Sequence, residues 1–150
     1  MSFRLAFNIL AICGTAVFTG VMLNIGLTLG AYWKSLAPTD FLDWFSRNSG
    51  LIGRTIPLVA GPALVGLVGS LWFGWSTTQE RLYWLTALAS AAGIAAITIA
   101  YHLPANATFA AKTVAVSDVP AKLDQWLALH WVRIGLGFVS AIAGVLAVSA

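Results

Sequence analysis

His102, Asn106, His130, Arg133 and Arg54 are the residues whose types and spacing could do chemistry in this chain. An imidazole takes or gives a proton near neutral pH, and guanidinium or amide groups stabilise a developing oxyanion. Two imidazoles at one level can also ligate haem iron. His130 and Arg133 recur with Trp126 and Gly137 at helical spacing, on a face that continues into Ser140, Ala141 and Gly144. That small-residue stripe should pack inward, so Arg133 is expected to point into the protein; snorkelling to headgroups is the alternative. His102 and Asn106 are four apart with Pro104 between them, in "IAYHLPANATF". The proline removes a backbone donor and biases Leu103 away from helix, which predicts that the helix ends or breaks there. The plainer account of His102 and Asn106 is interfacial placement with ordinary helix-ending chemistry.

The elements that carry these residues must be membrane helices. Of 150 residues, 59% are hydrophobic and 9% are charged, whereas a soluble domain carries about a quarter charged residues. Apolar runs long enough to cross hydrocarbon, about 20 residues, occur at 5–33, 55–76, 82–103 and 126–150. The first run is too long for a signal peptide and lacks a convincing small-residue cleavage site. The expected fold is therefore all-α: a single membrane domain over residues 1–150, built as a four-helix bundle. Trp72, Trp75, Tyr83 and Trp84 mark one membrane interface, and Tyr32, Trp33, Tyr101, Trp126 and Trp131 mark the other.

Between spans one and two, "PTDFLDWFSRNSG" reads as a short amphipathic helix lying in the interface and ended at Asn48-Ser49-Gly50, an anchor or a lid. Asp118 and Pro120 open the last helix several residues before its apolar run. With alternating helix directions, Asn24, Arg54, His102, His130 and Arg133 all fall at one membrane end. That end carries Lys34, Arg47, Lys112 and Lys122, whereas the opposite side carries Arg4 and Arg81. The first and third connections are accordingly expected in the cytoplasm, with both termini outside.

Several function classes are excluded or disfavoured. The basic residues are scattered and form no basic helix, so no nucleic-acid partner is expected. Phosphate-binding, nucleophile-elbow and H-E-x-x-H motifs are missing, and no carboxylate lies within the four runs. Hydrolysis by a nucleophile triad and carboxylate-driven proton pumping are disfavoured. Cys13, the only cysteine, reads as a small packing residue.

Four segments carry a family resemblance: "GVMLNIGL" (20–27), "RTIPLVAGP" (54–62), "LPANATF" (103–109) and "WLALHWVRIGL" (126–136). They resemble the anthrone-oxygenase-like family of small four-span membrane proteins. The segment "LGAYWKS" (29–35) departs from it, since some relatives carry a His-Pro there. The resemblance implies oxygenation of a reduced polycyclic phenol to a quinone, in some members without an obvious cofactor. His130 would then act as base, with His102 second, while Arg133, Arg54 and Asn106 stabilise the oxyanion.

Two other readings use the same residues. His102 and His130 could be the axial ligands of a b-type haem, the leading cofactor candidate, with Arg54 and Arg133 near its propionates. Alternatively the polar residues are structural glue in a non-catalytic membrane subunit or a carrier of apolar molecules. The expected partners are the lipid bilayer and a small apolar or aromatic molecule. A homo-oligomer is expected, because four short helices rarely enclose a large ligand alone.

Overall fold

The computed structural model describes residues 2–150. The chain forms four antiparallel helices, all long and apolar enough to span a membrane: α1 (Phe3–Ser35), α2 (Pro38–Phe73), α3 (Thr78–Ala110) and α4 (Val116–Ser149). No strand occurs among the described residues. The Ser2 hydroxyl caps α1 by accepting from the Leu5 N–H, and Pro38 and Pro120 occupy the first turns of α2 and α4. Asp118 stands at the start of the α-helical part of α4 as expected, but its side chain makes no capping bond.

Two expected boundaries shift. The interfacial helix does not end at Asn48-Ser49-Gly50; it runs without a break into the second span. The Asn48 amide donates back to the Trp44 carbonyl, and no glycine adopts positive φ, so nothing there stops the helix. At 36 residues α2 is about 54 Å long, well beyond 30 Å of hydrocarbon. Its first turns bury Phe41, Leu42 and Phe45 against Trp33 of α1 and Phe109 of α3. The segment is thus a protein-packed cap on the bundle, not a free anchor on the membrane surface.

The second shift is in α3, which continues past Pro104 to Ala110. The predicted break takes the form of a π-helical turn, Thr98–His102, in which the Leu103 N–H reaches five residues back to the Thr98 carbonyl. Pro104 has no N–H to offer the Ala100 carbonyl, and a wider turn absorbs the defect. Lys112, at φ 55°, then turns the chain out of the helix, and its ammonium pairs with Asp43 of α2. A matching π-helical turn, Ile25–Leu29, interrupts α1, with the Gly30 N–H bonded to the Ile25 carbonyl.

Packing is uneven around the bundle. The pairs α1–α2 and α3–α4 are intimate, whereas α1 with α4 and α2 with α3 meet more loosely. Gly66 lets α2 rest directly on the α1 backbone at Leu10 and Ala11, and Gly137 of α4 makes room for Thr19 of α1. The Ser140 hydroxyl ties α4 to the Ala87 carbonyl of α3 at 2.9 Å. At the end opposite the histidines, Arg4 grips Glu80 through two 2.7 Å bonds, and the Glu80 side chain is 5% exposed.

Two stability predictions follow from these contacts. Arg4→Ala strands a buried carboxylate and should cost about 1–3 kcal/mol; this is below the loss for a fully buried pair because Arg4 is half exposed. Thermal unfolding in detergent should show that Glu80→Gln in the same background recovers part of the loss. Gly66→Leu forces α1 and α2 apart and should abolish the monodisperse peak in size-exclusion chromatography, while Gly61→Leu, where a side chain meets open space, should not.

Candidate functional site

The sequence-predicted residues converge between α1, α3 and α4. His102 and His130 are each 1% exposed and Arg133 is 6% exposed, so Arg133 points inward and does not snorkel. The two imidazole rings are 6.1 Å apart, centre to centre. Trp126, one helical turn before His130, stacks on that ring at 4.9 Å with 17° between planes. The same indole meets His102 edge-on at 4.8 Å and donates its N–H to the Asn106 carbonyl oxygen at 2.8 Å. Asn106 therefore acts through Trp126: it holds the indole that holds both imidazoles.

A hydrogen bond fixes the tautomer of His130. His130 Nε2 lies 2.8 Å from the Met22 carbonyl, which can only accept, so Nε2 carries the proton and Nδ1 presents a lone pair. His102 Nδ1 makes only a long, 3.5 Å contact with the Ile97 carbonyl, which is too weak to fix that ring's tautomer. His130 Nδ1 and His102 Nε2 are both buried and have no hydrogen-bond partner. Each ring also abuts a π-helical turn. His102 closes the one in α3, and His130 packs on Gly26 in α1, where a Cβ would stand 3.3 Å from the ring. Such turns recur at functional sites because they alter side-chain direction and free backbone groups.

Arg133 completes the group. One guanidinium nitrogen donates to the Met22 sulfur at 3.2 Å, its Nε has no partner, and it forms no ion pair among the described residues. A thioether is a weak acceptor. A buried cation without a carboxylate, next to two imidazoles that each keep an unpartnered ring nitrogen, makes a receptor for an anionic or polarised oxygen.

Two expected members lie elsewhere. Arg54 is exposed on α2 and forms no hydrogen bond or ion pair among the described residues, while Asn24 is exposed and accepts from the Thr28 hydroxyl. Spacing already places Trp126 on the face of His130 and Arg133, but not its bond to Asn106. One other residue escaped the sequence reading. Met22, which contributes both a carbonyl and a sulfur, carried no signal of its own.

The haem reading can be tested against this geometry. A porphyrin between the histidines needs an open slot, and Trp126 covers one face of His130. A haem, like any ring-sized ligand, would have to displace Trp126 to reach the pair. No group of three metal-ligating side chains occurs among the described residues, and the Arg133 charge opposes a cation beside the pair.

Comparison with known proteins bears on the same stretch of chain. No curated protein and no solved structure matches it. The family model described as anthrone oxygenase matches residues 41–143, which include His102, Asn106, Trp126, His130 and Arg133. Three of the four resembling segments fall inside the match, and the fourth, 20–27, precedes it. With more than half of its length covered, the chain belongs to the anthrone oxygenase family.

Proposed function

We propose that this membrane protein is an oxygenase that converts an anthrone-like carbon acid, or a related reduced polycyclic phenol, to the quinone. The observation that carries the reading is the buried Arg133 guanidinium, without a carboxylate and beside two imidazoles that each keep an unpartnered ring nitrogen. The family name supports the reaction class.

The chemistry begins when the side chains packed over the histidines move aside and the carbonyl oxygen of the substrate replaces the Met22 sulfur at Arg133. The Nδ1 lone pair of His130 then removes a proton from the activated ring CH2, and the charge moves onto the oxygen held by Arg133. His102 is the second base. The electron-rich enolate gives its electrons to O2, which bonds to the same carbon and takes back the proton held by His130 Nδ1, giving a hydroperoxide. Loss of water from that adduct leaves the new C=O, so that CH2 and O2 become C=O and H2O. The ring of His130 keeps its Nε2 proton on the Met22 carbonyl throughout, which holds Nδ1 in place.

Orientation belongs to the same proposal. Lys34, Arg47, Arg54, Lys112 and Lys122 favour the first and third connections in the cytoplasm, with both termini outside. The oxygenase site would then lie near the cytoplasmic membrane face.

Oxygen uptake by the purified protein with anthrone, with anthraquinone measured as product, tests the function. His130→Gln should lower the rate by about 10²-fold or more, the usual worth of a positioned base. Arg133→Met should lose most of the activity, and Arg133→Lys should keep a fraction of it, because the charge remains without the planar fork. Rates within twofold of wild type in both His130→Gln and Arg133→Met would sink the reading. For orientation, Ser117→Cys in a Cys13→Ala background should react with an impermeant maleimide only after the cells are opened; labelling of intact cells would reverse the topology.

A further inference from the structure

The loose contact between α2 and α3 leaves a cavity of about 210 Å³ at mid-depth in the bundle. Its floor is buried, formed by Thr15 of α1, Ala63 and Leu67 of α2, Ile94 of α3 and Ser140 of α4. Its mouth is formed by exposed apolar side chains, Leu64 on α2 and Ala95 and Ile99 on α3. Since these stretches of α2 and α3 are membrane-spanning, the mouth faces lipid and not water.

Three hydroxyls line this otherwise apolar wall; those of Ser140 and Thr98 donate to the Ala87 and Ile94 carbonyls, and that of Thr15 does not pair. Thr15 is 4% exposed, and its hydroxyl has no hydrogen-bond partner. In lipid an unpaired buried hydroxyl is costly, and a serine or threonine normally bonds back to its own helix. Thr19, one turn further on, does so by donating to the Thr15 carbonyl at 2.7 Å. The Thr15 hydroxyl remains free beside an empty apolar space.

We infer that this cavity is a binding site for a fused-ring aromatic molecule that enters sideways from the bilayer, with one ring oxygen accepting from Thr15. The size fits: about 150 Å³ of apolar cavity takes one benzene ring, so 210 Å³ seats a two-ring body with a third ring in the mouth. A lipid acyl chain would fill the same volume and leave the hydroxyl unpaired, and the Thr15 oxygen therefore favours an aromatic ligand that carries an acceptor. The position fits as well. Thr98 and Ile99 line the cavity and begin the π-helical turn that His102 ends, about 6 Å further along the axis. The ligand's identity rests on the proposed oxygenase reading: the cavity holds the apolar body of the same substrate class on its way to Arg133 and the histidines. Binding itself requires no turnover.

The test is calorimetric titration of the detergent-purified full chain under nitrogen with anthrone and with anthracene, which lacks the oxygen. Wild type should bind both saturably at one site. Thr15→Val should weaken anthrone roughly fivefold to tenfold, the worth of one neutral hydrogen bond, and leave anthracene unchanged. Ala95→Phe, a change at an exposed position in the mouth, should weaken both at least about tenfold, as overfilling a formed pocket does. The inference is overturned by absence of saturable binding, by equal effects of Thr15→Val on both ligands, by an Ala95→Phe variant that binds normally, or by a co-purified phospholipid that anthrone fails to displace. Oxygen uptake on the same samples separates the two proposals. Normal binding without uptake removes the oxygenase reading and keeps the site, whereas normal uptake in Ala95→Phe removes the site and keeps the oxygenase.

Discussion

A guanidinium buried at membrane depth without a carboxylate is the constraint around which this bundle is organised. A charged residue on a membrane helix costs about 2.5–3.5 kcal/mol at the helix centre, and less toward the ends, where the side chain can reach headgroups. Arg133 does not take that escape. α4 is held in rotation on both sides of it: His130 bonds the α1 backbone at Met22, and Ser140 bonds the α3 backbone at Ala87. With α4 pinned at both points, the arginine faces inward, and the only acceptor it meets among the described residues is a thioether. Structural glue would be expected to pair this charge. On the proposed reading the charge is kept for an oxyanion.

The surroundings make the waiting charge effective. Toward the polar end, the first turns of α2 close over the group through Phe41, Phe45, Trp33 and Phe109, and the Lys112–Asp43 pair ties the third connection onto that cap. Water is thereby kept from the imidazoles on the side where it is plentiful. In a dry site a fixed guanidinium stabilises a developing enolate far more than it would in water, and a neutral imidazole is not levelled by bulk protons. The weak seam between α2 and α3 lies on the opposite flank, toward hydrocarbon. A bundle that is tight against water and loose toward lipid suits an apolar substrate and O2, both of which concentrate in the bilayer.

Much of this was legible in the sequence because lipid imposes simple rules. Four long apolar runs admit only helices, and the Trp126-His130-Arg133 spacing puts those three side chains on one face whatever their partners are. The convergence of His102 with His130 followed from alternating helix direction alone. Other features resisted for physical reasons. The break at Asn48-Ser49-Gly50 is strong turn chemistry in isolation, but aromatic packing of Phe41 and Phe45 on Trp33 outweighed it and kept α2 continuous. Arg54 belonged to the right membrane end and the wrong helix face, a distinction that depends on how α2 rotates against its neighbours. Met22 contributes through a backbone carbonyl, and a carbonyl has no side-chain signature.

The π-helical turns explain how one helix can serve both the cavity and the polar group. An α-helix that lines a cavity with Ile94 and Thr98 would carry that same face onward one turn at a time. Widening one turn adds about one residue to it and rotates everything beyond by roughly 100°. In α3 that rotation comes between Thr98, on the cavity wall, and His102, which faces Trp126 and His130 of α4. In α3 the wide turn falls where Pro104 has already removed a backbone donor. The residue that looked like a helix terminator thus stands beside the turn that redirects an imidazole, and the histidine and proline of "YHLP" belong to one local feature.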